Sequence, residues 1–345
     1  MTDSRDTHGL SPRTERQTAG QATVARPHSL VGVGAAIASA ATFGLSGSFA
    51  RPLLGAGWSP AAAVAVRTAG AALVLAPFAY VALGGRWGAL VAAWRRLLGF
   101  GILGVAGAQL CFFAAIERLS VGVAILIEFL GPVLLVAATS IARRRLPPRA
   151  TALGAIVSVL GLGAVLDLGG VGRVDPVGLA FALTAAAGVA GYFHLPGQPD
   201  PELPPVAMAA GGLCVGAVLL VAAGLAGLVP FHLSTARVDL FGADAPWWVP
   251  MSVIVVVSTA FSYGTGVFAA EQLGARLASF VALLEALFAV LAAWVLLGER
   301  PTPIQGIGGV LIVAGVLLVR LEASSNRPES SDRRRVARVG PPAVS

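Results

Sequence analysis

The sequence contains no lysine: all 24 basic residues are arginine, and with 17 acidic residues they give a net charge of +7. Charged residues make up only 12% of the 345 residues, about half the share in soluble globular domains. Hydrophobic residues make up 56%, and the mean hydropathy is +0.82. Because so few polar side chains cannot cover a core of this size, a water-soluble domain is excluded and lipid is the expected solvent.

Cysteine and catalytic motifs are also scarce. Cys111 and Cys214 lie in separate apolar segments, and we expect them to be packing residues rather than disulfide or metal ligands. The sequence has no phosphate-binding glycine loop, no HExxH motif, no nucleophile elbow and no Cys/His metal pattern. We therefore predict no enzyme activity, no cofactor and no metal site.

Long apolar runs dominate the chain. A helix needs about 20 apolar residues to cross the hydrocarbon core of a bilayer, and ten stretches approach that length. They lie near residues 30–50, 59–83, 97–116, 120–142, 150–169, 176–195, 205–229, 247–270, 277–297 and 303–319. The polar ends, 1–29 and 321–345, are predicted to be disordered tails.

The arginines predict the orientation of these spans. With the N-terminus in the cytoplasm, 18 of the 24 arginines fall on the cytoplasmic side and Arg67 falls within a span. The remaining five fall outside: Arg51, Arg118, Arg173, Arg237 and Arg300. This bias predicts ten helices in the plasma membrane with both termini cytoplasmic. Topology and anionic lipid headgroups account for the positive charge, so no nucleic-acid partner is expected.

The chain also repeats itself. The segment from Ala115 aligns without a gap with the segment from Ala269, an offset of 154 residues. In both copies a Glu-x-Leu-small element precedes an apolar span, a short turn ends in proline (Pro147 or Pro301), and a glycine-rich span follows. An odd number of helices per copy inverts the second copy, as in many secondary transporters. We predict an all-α integral membrane protein of ten transmembrane helices, as two inverted five-helix repeats at 30–170 and 176–320.

Two stretches resemble a known family. The closing "LLGERPTPIQGIGGVLIVAGVLLV" and the "SPAAAVAVRTAGAALVL" of the second span are similar to EamA-type transporters of the drug/metabolite transporter superfamily. The likeness covers about residues 30 to 320 and is most specific at Gly298, Glu299, Arg300 and Gly306. The "EFLGP" at 128–132 resembles the threonine/homoserine exporters of that family. The resemblance implies a secondary active exporter of a small polar metabolite, such as an amino acid.

Three charged residues lie deep in the predicted spans: Arg67, Glu128 and Glu285. Ionisable side chains at this depth are costly and usually mark a pathway. Arg67 and Glu128 each lie eight residues, about 12 Å, from the outer end of their helices, and Gln109 falls within about one turn of that layer. Glu285 lies about 6 Å deeper toward the cytoplasm. These four residues are the candidate substrate-binding or coupling residues.

Pro132 adds a backbone feature to this layer. A proline has no N–H to donate, so the carbonyl of Glu128, four residues earlier, loses its helical hydrogen bond. Irregular backbone is tolerated in a membrane only where protein or a water-filled cavity satisfies it. We interpret the segment around Glu128 as one wall of a translocation pathway.

The sequence leaves several alternatives open. Arg67 and Glu128 are either a static ion pair or the groups that bind a zwitterionic cargo, with or without proton coupling, and Glu285 is either a second gate or a solvated residue. A hydrophobic-compound exporter is the alternative within the superfamily, although only 7% of the residues are aromatic. A membrane-bound enzyme and a non-transporting scaffold or receptor are the alternatives of other classes.

Overall fold

The computed structural model of the protein describes residues 30–144, 147–166, 175–194, 203–281 and 283–325. The predicted tail at 1–29 lies outside these residues, and so do 326–345 and most of the junction between the two predicted repeats. The second predicted tail begins too early, because residues 321–325 continue the last helix. Good helix formers, Leu321, Glu322 and Ala323, favour this extension.

Helices make up most of the described chain. In order they are α1 Leu30–Gly55, α2 Pro60–Leu83, α3 Trp87–Ala92, α4 Trp94–Gly99, α5 Ala108–Ile116, α6 Val121–Glu128, α7 Gly131–Arg143, α8 Arg149–Val165, α9 Pro176–His194, α10 Pro205–Leu225, α11 Trp248–Ser252, α12 Ser262–Val281, α13 Leu284–Leu297 and α14 Pro303–Ser325. Two π-helical segments, Phe100–Gly107 and Val253–Phe261, connect α4 to α5 and α11 to α12.

Six helical stretches of the described residues are long and apolar enough to cross a membrane. They are Leu30–Gly55, Pro60–Leu83, Trp94–Ile116, Val121–Ala142, Pro205–Leu225 and Trp248–Leu273. Four shorter apolar helices coincide with the other predicted spans: Arg149–Val165, Pro176–Gly191, Leu284–Leu297 and Pro303–Val319. A multi-span helical protein is thus confirmed, and the count of ten crossings stays a prediction.

One segment between two predicted spans contains strands, which the sequence analysis did not predict. Residues Arg237–Leu240 (β1) and Ala243–Pro246 (β2) form an antiparallel hairpin. Its turn residues, Phe241 and Gly242, both have positive φ, at 60° and 88°, as a two-residue type I′ hairpin turn requires. The Asp239 side chain accepts a hydrogen bond from the Gly242 N–H at 2.8 Å. The hairpin lies between two apolar spans, and the hydropathy pattern that predicts the spans does not predict strands in the segment between them.

The irregular points of the helices recur at the repeat spacing. The second π-helical segment begins 153 residues after the first, close to the sequence offset of 154. The turn at Phe129–Leu130 separates α6 from α7, and the interval between Val281 and Leu284 separates α12 from α13 at the corresponding place. The two halves therefore share their breaks, although Ala286 replaces Pro132 in the second half.

One predicted boundary moves as a result. The sequence suggested a loop near 271–276 between two spans, but α12 continues through it to Val281. Glu271, Gln272, Leu273 and Ala275 are residues that favour helix. Glu285 consequently lies in the first turn of α13, rather than eight residues into a helix.

Contacts between the halves occur in matched pairs. Each of α2 and α8 packs against its own counterpart, which is α10 and α14 respectively. The contact of α1 with α12 is matched by those of α9 with α5 and α6, and the contact of α1 with α13 is matched by that of α9 with α7. This reciprocity is expected of two repeats related by a pseudo-twofold axis and agrees with a two-repeat architecture.

Candidate functional site

Arg67 lies at the centre of the contacts between the two halves. The Ser59 hydroxyl caps α2 by accepting from the Ala62 N–H at 3.3 Å, and this start places Arg67 two turns into the helix. The side chain is 2% exposed. Its Nε donates to the Thr259 hydroxyl at 2.7 Å, and its Nη1 donates to the Gln109 Oε1 at 2.8 Å. A residue from each half therefore holds the guanidinium.

Two aromatic rings lie near the same guanidinium. The Arg67 Cζ is 5.3 Å from the ring centre of Phe43 and 5.5 Å from that of Phe113. Gln109 and Phe113 are four residues apart on α5 and so share one helix face. Cation–π contacts of this kind stabilise a positive charge that water does not reach. Among the described residues, no carboxylate is in direct contact with this arginine.

Glu128 lies near this arginine but does not pair with it. Between these two described side chains there is no contact of ion-pair length, and the guanidinium donates to Thr259 and Gln109 instead. Glu128 and Glu285 are nevertheless close enough to interact electrostatically with Arg67. The structure thus brings Arg67 and Gln109 into direct contact and places the two carboxylates around them.

A small cavity joins three of the four predicted residues. Gln109, Glu128 and Glu285 line a space of about 10 Å³ together with Phe43 and Gly47. A space of this size holds about one water molecule. In this conformation the polar layer is therefore almost completely closed.

The helix that carries Glu128 is interrupted just after it. Phe129 and Leu130 form a turn between α6 and α7, and Pro132 is in the first turn of α7. No N–H among the described residues donates to the Glu128 carbonyl across this turn. A backbone acceptor and a carboxylate therefore occur together at the wall of the small cavity.

A much larger cavity lies next to the small one. It has a volume of about 590 Å³ and is lined by the first half of α1, the start of α10, α12 and the first turn of α13. Phe43 and Glu285 line both cavities. Polar groups reach the large cavity from Ser39, Ser262 and Tyr263. All these elements lie toward the end of the molecule where α1 begins, so the large cavity gives access to the polar layer from that face.

The opposite face is closed by contacts between the two halves. Glu299, after α13, accepts from the Val121 N–H at 2.9 Å at the start of α6. It also pairs with Arg51 near the end of α1, at 3.4 Å. Arg51 in turn donates to the Leu119 carbonyl. Burial raises the pKa of Glu299, and this effect is opposed by Arg51 and by the N–H groups at the start of α6.

The segment between α10 and α11 covers the same face. The Ser59 N–H donates to the His232 carbonyl at 3.0 Å, and the Ser59 hydroxyl accepts from the His232 N–H at 2.9 Å. The rings of Trp58 and Trp247 are 5.4 Å apart. The cavity system is therefore accessible from one face and sealed at the other.

Sequence reasoning missed three residues of the site: Thr259, Phe43 and Phe113. Thr259 is 1% exposed in a π-helical segment, and its only signal was a hydroxyl within an apolar run. Phe43 and Phe113 resemble ordinary apolar residues of a span. The described residues include no cluster of three His, Cys, Asp or Glu side chains that could hold a metal ion.

Residues 30–166 and 176–321 each match the model of the EamA-like transporter family. The chain belongs to the EamA-like transporter family. The threonine/homoserine exporter RhtA of Escherichia coli strain K12 is 30% identical to this EamA-like protein over 234 residues, which are 66% of this chain and 72% of RhtA. The uncharacterized inner membrane transporter YicL of Salmonella typhimurium strain LT2 is 23% identical over 229 residues, 66% of this chain and 73% of YicL.

A solved crystal structure shares the fold of this EamA-like protein. The TM-score is 0.52 at 18% sequence identity, over 86% of this chain and 99% of the other chain. At that identity the likeness concerns the fold alone. Family membership and the apolar helices make the protein a multi-pass membrane transporter with exporters among its relatives.

Proposed function

We propose that this EamA-like protein is a secondary active exporter of a small zwitterionic metabolite, with an amino acid as the first cargo to test. It acts in the cytoplasmic membrane with both termini in the cytoplasm. The observation that carries the proposal is a buried guanidinium and a nearby carboxylate, Arg67 and Glu128, that attract each other without forming an ion pair. A zwitterion matches this arrangement, because its carboxylate would meet Arg67 and its ammonium would meet Glu128.

The access to the site supports transport by alternating exposure. The large cavity reaches Phe43 and Glu285 from the face where α1 begins, and Glu299 with Arg51 seals the other face. With the N-terminus in the cytoplasm, this is the conformation that would load cargo from the cytoplasm. Rocking of the two halves about the binding site would then open the site to the outside of the cell.

The relatives favour the same cargo class. RhtA carries the name of a threonine/homoserine exporter, so threonine and homoserine are the first compounds to test. Glu128 and Glu285 offer two carboxylates beside the pathway that could carry a proton. We therefore include proton coupling in the proposal.

Flux in reconstituted vesicles tests the proposal. Purified protein in liposomes should move radiolabelled threonine or homoserine when a pH gradient is imposed, and a protonophore should abolish the movement. Vesicles containing Glu128→Gln protein should show no flux, while Glu271→Gln, which changes an exposed carboxylate at the edge of the large cavity, should retain it. Absence of flux for every zwitterion in a broad panel would overturn the cargo class.

The lining of the large cavity supports a second candidate. Most of its residues are apolar, including Ala36, Ala40, Phe43 and Val267, and this surface suits a hydrophobic compound. The same vesicles, loaded with a lipophilic dye, separate the two candidates. Dye flux without amino-acid flux would favour the hydrophobic-compound exporter.

A further inference from the structure

A second groove lies outside the site, on the surface of the helix bundle. It has a volume of about 470 Å³ and shares no residue with the two cavities described above. Its walls come from α2, α3 and α10. Small residues form much of its lining: Ala72, Ala76, Ala79, Ala207, Ala210 and Gly211. A row of such residues leaves a smooth apolar channel between two helices.

The length of the groove matches one leaflet of a bilayer. Its lining on α2 runs from Ala72 to Leu83, eleven residues that rise about 16 Å. Half of the hydrocarbon core of a bilayer is about 15 Å thick. A single acyl chain that enters from one leaflet would therefore fill the groove along its whole length.

Aromatic residues mark one end of the groove as the membrane interface. Tyr80 and Trp87 both line it, and their rings are 5.6 Å apart. Both side chains are largely exposed, at 64% and 50%. Exposed tyrosine and tryptophan with a polar group at one edge typically lie at the level of lipid headgroups.

Positive charge gathers at this same end. Residues 84–99 contain three arginines, Arg86, Arg95 and Arg96, and no acidic residue. Arg86 donates to the carbonyls of Ala82 and Leu83, at 3.3 and 3.1 Å, and Leu83 itself lines the groove.

Two of these arginines have no acidic partner among the described residues. Arg95 lies over the ring of Trp94, with its Cζ 5.4 Å from the ring centre. Neither Arg86 nor Arg95 forms an ion pair with another residue in the described part of the chain.

We propose that this groove is a binding site for an anionic phospholipid, with one acyl chain along α2 and the phosphate beside Arg86. An anionic headgroup is preferred because a zwitterionic one also brings a positive group toward Arg86, which donates to the carbonyl of a lining residue, Leu83. The site lies in the leaflet on the face where α1 begins, and it does not depend on the cargo proposed above.

Native mass spectrometry of the purified, delipidated chain tests the site. Phosphatidylglycerol and phosphatidylcholine with the same acyl chains are added separately, and the bound fraction is measured. We expect one tightly bound phosphatidylglycerol per chain and weaker binding of phosphatidylcholine. Arg86→Gln should weaken phosphatidylglycerol binding about fivefold, the effect of one basic residue near an anionic surface. Arg237→Gln, an exposed arginine on β1, is the matched control and should bind as the unmodified chain does.

A second pair of variants locates the acyl chain. Ala76 is exposed and lines the groove, so Ala76→Phe should fill the channel and displace the lipid without disturbing the core. Leu73→Phe, on the same helix but outside the lining, should have no effect. Equal binding of the two lipids overturns the preference for anionic headgroups. Unchanged binding in Ala76→Phe, or a lipid-free dimer of the chain, overturns the site.

Discussion

The contact between Arg67 and Thr259 offers a sharp test of how the site is held. Thr259→Val keeps the shape of the side chain and removes the hydroxyl that accepts from the Arg67 Nε at 2.7 Å. Both residues are at most 2% exposed, so water cannot easily replace the lost acceptor. A hydrogen bond to a charged group contributes about 1.5–3 kcal/mol. The Thr259 hydroxyl also donates to the Ile254 carbonyl at 2.8 Å, so we expect a loss of unfolding free energy of at least about 1.5–3 kcal/mol.

Thr68→Val is the matched control for this change. Thr68 is adjacent to Arg67 in sequence and is 1% exposed, like Thr259. Its hydroxyl donates to the Val64 carbonyl within its own helix at 2.7 Å. An ordinary neutral hydrogen bond contributes about 0.5–1.5 kcal/mol. Because both variants lose a bond of this kind, we expect Thr259→Val to cost about 1.5–3 kcal/mol more than Thr68→Val, in unfolding measured by titration with sodium dodecyl sulfate.

Transport should separate the two variants more clearly. If Arg67 binds the carboxylate of the cargo, loosening it should raise the cargo concentration for half-maximal flux by about 5- to 30-fold, the equivalent of 1–2 kcal/mol. Thr259→Ser retains the hydroxyl and should restore most of the affinity. The reasoning is refuted if Thr259→Val and Thr68→Val have the same stability and the same concentration dependence of flux.

Three other predictions follow from the geometry. Glu299→Gln removes a carboxylate charge whose burial in the closed state raises its pKa, and Gln can still accept from the Val121 N–H, so the variant should shift the population toward closure of this face by about fivefold, measured as a shorter mean distance between spin labels across it. Because burial raises the pKa of Glu299 above its ordinary 4.5, the closed state binds a proton more tightly than a state that exposes the carboxylate. Lowering the pH from neutral toward 4.5 should then favour closure in the unmodified chain and have no such effect in the Gln variant. Gly55 and Gly88 are both exposed with open space around them. In a chain whose Cys111 and Cys214 have been replaced, an impermeant thiol reagent applied to intact cells should label Gly55→Cys and not Gly88→Cys. The opposite labelling pattern would show that the predicted orientation is inverted. Glu128→Gln should abolish flux in a folded protein, and the double variant with Arg67→Gln should recover stability without transport; flux in the double variant would assign the two charges a structural role.

Hydropathy and charge were sufficient to predict most of the helices. Each of the ten predicted spans overlaps an apolar helix of the structure, because burial in lipid depends on composition over about 20 residues. Counting residues from the outer ends of the predicted helices placed Arg67 and Gln109 within one turn of the same depth. Their side chains do form a hydrogen bond. Depth along a helix follows from the fixed rise per residue, so it can be read from sequence.

Rotation around each helix could not be predicted in the same way. Apolar residues surround α1 and α2 on all sides, so the sequence does not indicate which face of either helix meets its neighbours. The choice of Thr259 over Glu128 as the neighbour of Arg67 depends on that rotation. The hairpin at β1 and β2 was missed because its turn residues act locally, outside the apolar pattern.

The closure by Glu299, at the face that the arginine distribution predicts to be outside, indicates how topology limits the symmetry of the two repeats. Glu299 closes that face by accepting from the N–H at the start of α6. At the repeat offset of 154 the corresponding residue is Arg145, and an arginine cannot accept such a bond. With the predicted orientation, Arg145 belongs to a cytoplasmic segment, where the positive-inside bias favours arginine. On this orientation we expect the cytoplasmic face to close by a different chemistry, and exchange of the two charges, Glu299→Arg with Arg145→Glu, should impair both closure and membrane orientation rather than conserve function.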